Sequence, residues 1–214
     1  MEKKLPFKKP IAVLYEDEQY LVFDKPAGFL IIPSPKGEEN TLTHIVNEQY
    51  AAGKDWKLHP CHRLDRDTSG VILYAKGKSA QQVMMDLFHQ HQIQKKYVAF
   101  VNGNLKPPQG QWKGNIRSFD ERKFQKNSKG QLAVTKYKVI EQKKKFSIVE
   151  IEPVTGRTNQ IRIQFSEKGF PLVGERKYAF ARDYPLKFRR VALHSSLVSW
   201  ISHEIDRMPW LAVG

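Results

Sequence analysis

The sequence predicts an α+β fold: a mixed, mostly antiparallel sheet with a few flanking helices and loops. Three observations point there. Short runs rich in β-branched and aromatic residues recur along the chain, each ended by Gly, Pro, Asn or charged residues. Two segments instead space their apolar residues at helical period. The two kinds of segment are interleaved without the regular strand–helix–strand rhythm of a parallel sheet.

Taken in order, residues 1–10 are basic, broken by Pro6 and Pro10, and read as a loose arm preceding a single domain over 11–214. Ile11–Tyr15 and Tyr20–Asp24 are strand-like, separated by the turn Glu16-Asp17-Glu18 and closed by Lys25-Pro26-Ala27-Gly28. A further apolar run, Phe29–Ile32, is stopped by Pro33 and Pro35. Thr41 is a fair N-cap for a helix running towards Tyr50. Val71–Ala75 reads as a buried strand. Ser79 is then expected to cap a helix with Val83, Met84, Leu87 and Phe88 on its core face. Lys96–Val101 is another strand, ended by Asn102-Gly103. Residues 106–130, with Pro107-Pro108 and Lys113, Arg117, Arg122, Lys123, Lys126 and Lys129, read as a basic, exposed hairpin or loop. Lysines on such an edge also serve simply to discourage aggregation. Ala133–Ile140 and Phe146–Glu152 form a strand pair across Lys143-Lys144-Lys145. Gln160–Phe165 and Val191–Trp200 are both strand-like.

Of the 214 residues, 40% are hydrophobic, enough for a real core. Lys and Arg number 36 against 22 Asp and Glu, a net charge of +14 that favours encounter with polyanions such as RNA, DNA or an anionic membrane surface. No stretch approaches the roughly 20 apolar residues of a membrane span. The N-terminal lysines are not followed by the apolar run of a secretory signal. Cys61 is the only cysteine, which excludes an intrachain disulfide and a cysteine-cluster metal site and fits a cytoplasmic setting.

The stretch richest in chemistry is His62-Arg63-Leu64-Asp65-Arg66-Asp67-Thr68-Ser69-Gly70, directly before a buried strand. Arginines beside a carboxylate favour its ionised form, which can act as base or nucleophile. An ordinary turn, whose Asp, Thr and Ser side chains satisfy backbone amides, fits the same residues equally well. In a second stretch, Thr155–Gln164, a strand after Asn159 would place Gln160, Arg162 and Gln164 on one polar face. By itself that reads as an amphipathic surface strand with Arg162 in water. Phosphate-binding and dinucleotide Gly-rich loops and the Gly-x-Ser-x-Gly elbow are absent. His89 and His91 are two apart, the wrong spacing for a zincin pair, and read as surface residues.

His62-Arg63-Leu64-Asp65 with Asp67-Thr68-Ser69-Gly70 resembles the signature of the RluA-type pseudouridine synthases. Four further motifs resemble that family in its own order: Tyr15-Glu16-Asp17 through Leu21–Gly28, Lys96-Tyr97, Thr155-Gly156-Arg157-Thr158 with Gln160-Ile161-Arg162, and Leu193-His194. The resemblance covers roughly residues 11–205. It implies the pseudouridine synthase fold, with a cleft across the middle of the sheet. It also implies roles: Asp65 as catalytic aspartate, Arg162 as its ion-pair partner, and Tyr97 against the target base. Arg63 would enter the RNA in place of the flipped uridine, and Arg66, Arg157 and Lys96 would contact RNA. The reaction breaks the bond from the sugar to uracil nitrogen 1, rotates the base and joins the sugar to carbon 5. Nothing is oxidised and no group is gained or lost, so no metal or organic cofactor is expected. Asp65 attacks the anomeric carbon or removes a proton from the 2′ carbon; the residues leave both open.

The chain departs from the family pattern where Asn159, Gln164 and Phe170 stand at positions at which His is common. It begins almost at the first motif, so RNA recognition is expected from the catalytic domain itself. The expected partner is a ribosomal or transfer RNA stem-loop, and the expected state a monomer without membrane association. Two other classes compete. A binding-only RNA chaperone would need the charge but not Asp65. An aspartate-dependent nucleoside or glycoside hydrolase would commonly use a pair of carboxylates across the bond, and Asp65 and Asp67 share one short loop.

Overall fold

Most of the apolar runs become strands. In chain order the elements are β1 (Val13–Glu16), β2 (Tyr20–Lys25), α1 (Leu42–Val46), which continues into a π-type turn (Asn47–Ala51), β3 (Leu58–Pro60), β4 (Ser69–Lys76), α2 (Lys78–His89), β5 (Ile93–Asn102), β6 (Gln109–Ile116), β7 (Gln131–Gln142), β8 (Phe146–Pro153), α3 (Gln160–Glu167), β9 (Leu193–Trp200) and β10 (His203–Asp206). This computed structural model describes residues 9–34, 37, 40–118, 129–179, 186, 188–200 and the backbone of 203–206. The fold is α+β, as expected. The chain forms two compact units, Met1–Gln94 with Ser195–Gly214, and Lys95–His194.

In the first unit the strand order is β1-β2-β4-β9, with β3 beside β4 and β10 beside β9. β2 and β4 are antiparallel from Tyr20↔Ala75 to Lys25↔Gly70. Both are buried almost throughout, and their side chains alternate between two cores. One face, with Tyr20, Val22, Val71, Leu73 and Ala75, meets Met84 of α2, Ile93, Val198 and Trp200. The other sets Phe23 edge-on to Tyr74 and against Tyr50 of the π-type turn. Burying side chains of this size stabilises by about 1.5–3 kcal/mol each. The β1–β2 turn is closed by Asp17, whose Oδ1 accepts from the amides of Gln19 and Tyr20 at 2.8 and 2.6 Å. Thr41 caps α1 as expected, its hydroxyl oxygen accepting from the His44 amide at 3.3 Å.

The apolar run Phe29–Ile32 forms no strand; the Leu30 and Ile31 carbonyls accept from the first amides of α1, Leu42 and Thr43, at 2.7 and 3.2 Å. Two local expectations for α2 are corrected. Ser79 does not cap α2, which starts at Lys78, two residues earlier than such a cap would place it, after Gly77 at φ 101°. Within α2, Val83 is 56% exposed while Met84 is buried. The inward arc is Ala80, Met84, Leu87 and Phe88, at i, i+4, i+7 and i+8, and Val83 falls beside it.

In the second unit the order is β5-β8-β7-β6, with antiparallel registers throughout. The basic segment over 106–130 supplies β6, which pairs with β7 from Gln109↔Lys138 to Ile116↔Gln131. Lys113 and Lys129 are exposed there. Arg122, Lys123 and Lys126, like most of the N-terminal arm, lie outside the described residues. Trp112, Tyr137 and Phe165 pack ring to ring, with centroids 4.5–6.3 Å apart.

The main correction concerns residues 160–165, which form helix α3 and not a strand. Asn159, at φ 54°, turns the chain left-handed, a conformation Asn tolerates better than most residues, and the helix follows. All six residues from Gln160 to Phe165 are buried, so Arg162 does not lie in water. The polar–apolar alternation mimics a strand because polar residues here enter the core with partners. Gln160 and Gln164, four apart, share the helix face towards β7, and Arg162 projects on another side. Gln160 Nε2 donates to the Val134 carbonyl and to Thr135 Oγ1 at 3.0 and 2.8 Å. Thr135 Oγ1 donates to Gln164 Oε1 at 2.6 Å, and Gln164 Nε2 donates to the Ala133 carbonyl at 3.2 Å.

Candidate active site

The first unit builds the Asp65 loop from below. Lys25 ends β2 opposite Gly70, the second residue of β4, and is fully buried. Its ammonium donates to the carbonyls of Thr68, Arg66 and Pro26 at 2.8, 3.0 and 3.1 Å, with the Asp65 carbonyl at 3.4 Å. An ammonium has three donors, so the longest contact is shared. The Gly28 amide donates to the Arg66 carbonyl at 2.7 Å, and the Thr68 amide donates to the Asp65 carbonyl at 3.1 Å. Upstream, Cys61 donates its amide to the Leu73 carbonyl, and His62 Nε2 accepts from the Leu73 amide at 3.1 Å. Leu64 and Thr68 are buried, Asp65 is half-buried, and Arg63 and Arg66 are exposed.

The turn-only reading of this loop has side chains satisfying amides. In addition, the loop aims the carbonyls of Asp65, Arg66 and Thr68 at a buried cation. Taking a charge out of water is costly unless its hydrogen bonds are met, so this ammonium fixes backbone geometry at some expense. Gly70, at φ 108°, fixes the other end: a Cβ there would lie 2.1 Å from the Ser195 carbonyl oxygen. Only glycine permits that approach.

The second unit holds the other expected residues. Tyr97, on β5 opposite Ile151, is buried. Lys96 projects on the opposite sheet face, where its Nζ is 3.5 Å from Glu150 Oε2. Arg157 is exposed, its Nε donating to the Leu132 carbonyl at 3.1 Å. Lys95 lies near Gly156, a Cβ on which would be 3.7 Å from its Nζ, and burial pushes its ammonium below the ordinary lysine range. Arg162 is gripped bidentately by Glu175, with Nε–Oε2 at 2.7 Å and Nη2–Oε1 at 2.8 Å. Its Nη1 donates to Asn159 Oδ1 at 3.2 Å, and its guanidinium lies 5.5 Å from the centre of the Tyr178 ring. Burial pushes the Glu175 carboxyl up. The Arg162 guanidinium, with the amides of Lys177 and Tyr178, more than offsets this and holds it below the ordinary carboxylate range.

Of the expected site residues, Arg63, Asp65 and Arg66 therefore share one loop of the first unit. In the second, Tyr97 and Lys96 stand on opposite faces of β5, Arg157 in the turn after β8, and Arg162 in α3. A sequence model described as RNA pseudouridylate synthase matches residues 19–167, a span that contains all seven. The chain belongs to the RNA pseudouridylate synthase family. It is 32% identical over 210 residues to an uncharacterized RNA pseudouridine synthase, YhcT, of Bacillus subtilis, covering 95% of this chain and 68% of that protein. It is also 32% identical over 203 residues to ribosomal large subunit pseudouridine synthase D of Borreliella burgdorferi, covering 89% of this chain and 61% of that one. The chain thus spans about two thirds of the length of these curated relatives. The human RNA pseudouridylate synthase domain containing 4 shares its fold, with a TM-score of 0.75 at 24% identity over 92% of this chain and 88% of that chain.

The contacts of Lys25 with the Asp65 loop and of Glu175 with Arg162 carry no signal in the sequence. Lys25 stood inside a quoted motif, but a Lys before Pro-Ala-Gly reads as turn chemistry. Glu175 follows Leu172-Val173-Gly174 as a single acid with no periodicity around it. Two of the departures from the family pattern find side-chain partners: Asn159 bonds Arg162 and donates Nδ2 to Tyr178 Oη at 3.0 Å, and Gln164 joins the α3 network.

No helix among the described residues is long and apolar enough to cross a membrane.

Proposed function

We propose that this chain isomerises uridine to pseudouridine in RNA, with Asp65 as the catalytic carboxylate. The observation that carries the proposal is the Asp65 loop itself, a family motif whose backbone is pinned from inside by Lys25 while Arg63 and Arg66 face outward. Residues 11–214 act as the catalytic domain, and the basic residues 1–10 as an arm. An enzyme acting on a base takes it out of the stack, at a cost of a few kcal/mol. Arg63 fills the vacated space, since a guanidinium stacks well on bases. Tyr97 packs on the flipped uracil and Arg162 supports Asp65. Arg66, Arg157 and Lys96 contribute phosphate contacts, Lys96 after giving up its long contact with Glu150.

The ionised Asp65 attacks the anomeric carbon or takes the 2′ proton. The bond to nitrogen 1 breaks; the bond to carbon 5 then forms as the bond from Asp65 to the anomeric carbon breaks or, on the second route, as Asp65 returns the proton to the 2′ carbon; and the hydrogen on carbon 5 is lost to solvent as nitrogen 1 gains one. Atoms and electrons balance within the nucleotide and solvent protons, so the chemistry calls for no cofactor. Ribosomal RNA is the favoured substrate, because several relatives are named as ribosomal large subunit enzymes. A transfer RNA stem-loop is the second substrate class. The enzyme works as a cytoplasmic monomer.

The test uses unmodified ribosomal and transfer RNA transcripts carrying tritium at uracil carbon 5. Wild-type protein is expected to release tritium to water, and Asp65→Asn to release it at least about 100-fold more slowly with RNA affinity nearly unchanged. Equal rates for the two proteins would remove Asp65 from the mechanism.

A further inference from the structure

We propose that Glu175, with Asn159, is a positioning residue for the reaction, fixing the direction of the Arg162 guanidinium. The inference rests on the functional reading above and adds to it the device that sets Arg162. Arg162 lies on a short helix whose backbone alone leaves its long side chain several rotamers. Four features of the second unit remove that freedom. Glu175 takes Nε and Nη2 in the planar two-point geometry that a guanidinium and a carboxylate share. Asn159 Oδ1 takes Nη1 from a residue held at φ 54° directly before the helix. The Tyr178 ring lies beside the guanidinium, and its hydroxyl accepts from Asn159 Nδ2.

Glu175 itself cannot turn away. Its Oε1 also accepts from the amides of Arg176, Lys177 and Tyr178 at 3.0, 2.7 and 3.2 Å, and its side chain is 1% exposed. One carboxylate thus ties the guanidinium to the backbone of the following loop, and that loop returns Tyr178 to Asn159. The result is a closed ring of contacts, Arg162–Glu175–Tyr178–Asn159. A general scaffold for α3 would not need it, because the Gln160, Thr135 and Gln164 network already fixes the opposite side of that helix. Asn159 also shows how a departure from the family's usual His is compatible with the site: its amide oxygen accepts from Arg162 and its amide nitrogen donates to Tyr178.

The experiment compares wild type, Glu175→Gln, Glu175→Asp and Asn159→Gly. Asn159→Gly keeps the left-handed backbone and removes only the side-chain amide, so it tests the same contact without a change of buried charge. Two readouts are taken: single-turnover rate and RNA affinity on a transcript the wild type modifies, and the Arg162 Nε–H signal in nitrogen-15 NMR without RNA. The expected result is a rate lower by about 10- to 100-fold in Glu175→Gln at unchanged affinity, since small misplacements of a working group cost that much. A smaller loss is expected in Glu175→Asp and Asn159→Gly, and the sharp, slowly exchanging Arg162 signal is expected to broaden or vanish in Glu175→Gln. A wild-type rate in Glu175→Gln, or a rate loss matched by an equal loss of RNA affinity, overturns the proposal. An unchanged Arg162 signal overturns it as well. If the wild type modifies no RNA, the functional reading falls and the NMR comparison still decides whether Glu175 fixes Arg162.

Discussion

At the scale of single residues, Lys25 and Glu175 are buried charges that order the backbone around them, and the sequence shows neither set of contacts. Lys25 collects carbonyls from Pro26 and the Asp65 loop. Replacing it by Met keeps the volume of the stem and leaves those carbonyls without their donor. The expected cost is about 2–4 kcal/mol of unfolding free energy in urea melts, with turnover falling further than stability because the loop loses its shape. An unchanged urea midpoint would show that the Lys25 contacts are dispensable. Glu175 makes a pH-dependent contribution whose sign follows from its depressed acidity. Its folded-state value lies below the ordinary 4.5, so the unfolded chain binds the proton more readily. The stabilisation is therefore fully present above about 4.5 and is lost as pH falls through the folded value. Wild type should lose this increment on acidification below pH 4.5, and Glu175→Gln should show a flatter acid limb. Parallel limbs would contradict the assignment. Asp65 was legible because it sits in a dense motif. Lys25 and Glu175 were not, because an isolated charged residue carries no periodicity, and what it touches depends on chain segments up to 43 residues away.

At the scale of elements, the strands were easier to read than the helices, for a physical reason. β2, β4 and β8 are built from β-branched and aromatic residues that fit a pleated, covered surface, and their turns carry Asp, Gly and Lys. α3 was misread because period 2 normally reports one wet and one dry face. In α3 both kinds of residue are buried, the polar ones being matched in a hydrogen-bond network. That network should be the element's main support. Gln160→Leu leaves Thr155 Oγ1, the Arg157 amide and the Val134 carbonyl without their shared partner. It is expected to destabilise by about 1–3 kcal/mol, measured by thermal or urea unfolding. A neutral or stabilising effect would mean that water replaces the amide at no cost. The α2 misreading was smaller: Val83 is apolar but lies outside the arc that faces β4, and composition alone does not show where an arc ends.

At the scale of the whole molecule, a net charge of +14 and membership of a family of RNA isomerases point the same way. RNA affinity should fall steeply with salt, on the order of 10³-fold between 50 and 200 mM if about six phosphates are neutralised. A filter-binding series checks this, and a flat response would mean that the basic residues do not face the nucleic acid. Binding alone does not separate a synthase from an RNA chaperone, since the charge serves both. Asp65 separates them. The decisive measurement is to incubate unmodified total RNA with purified wild type and with Asp65→Ala, then map pseudouridine at nucleotide resolution by chemical labelling. The account predicts new pseudouridine at defined positions with wild type and none with Asp65→Ala, while both proteins bind the RNA. Tight binding with no pseudouridine in ribosomal or transfer RNA would contradict it and leave a binding protein in place of an enzyme.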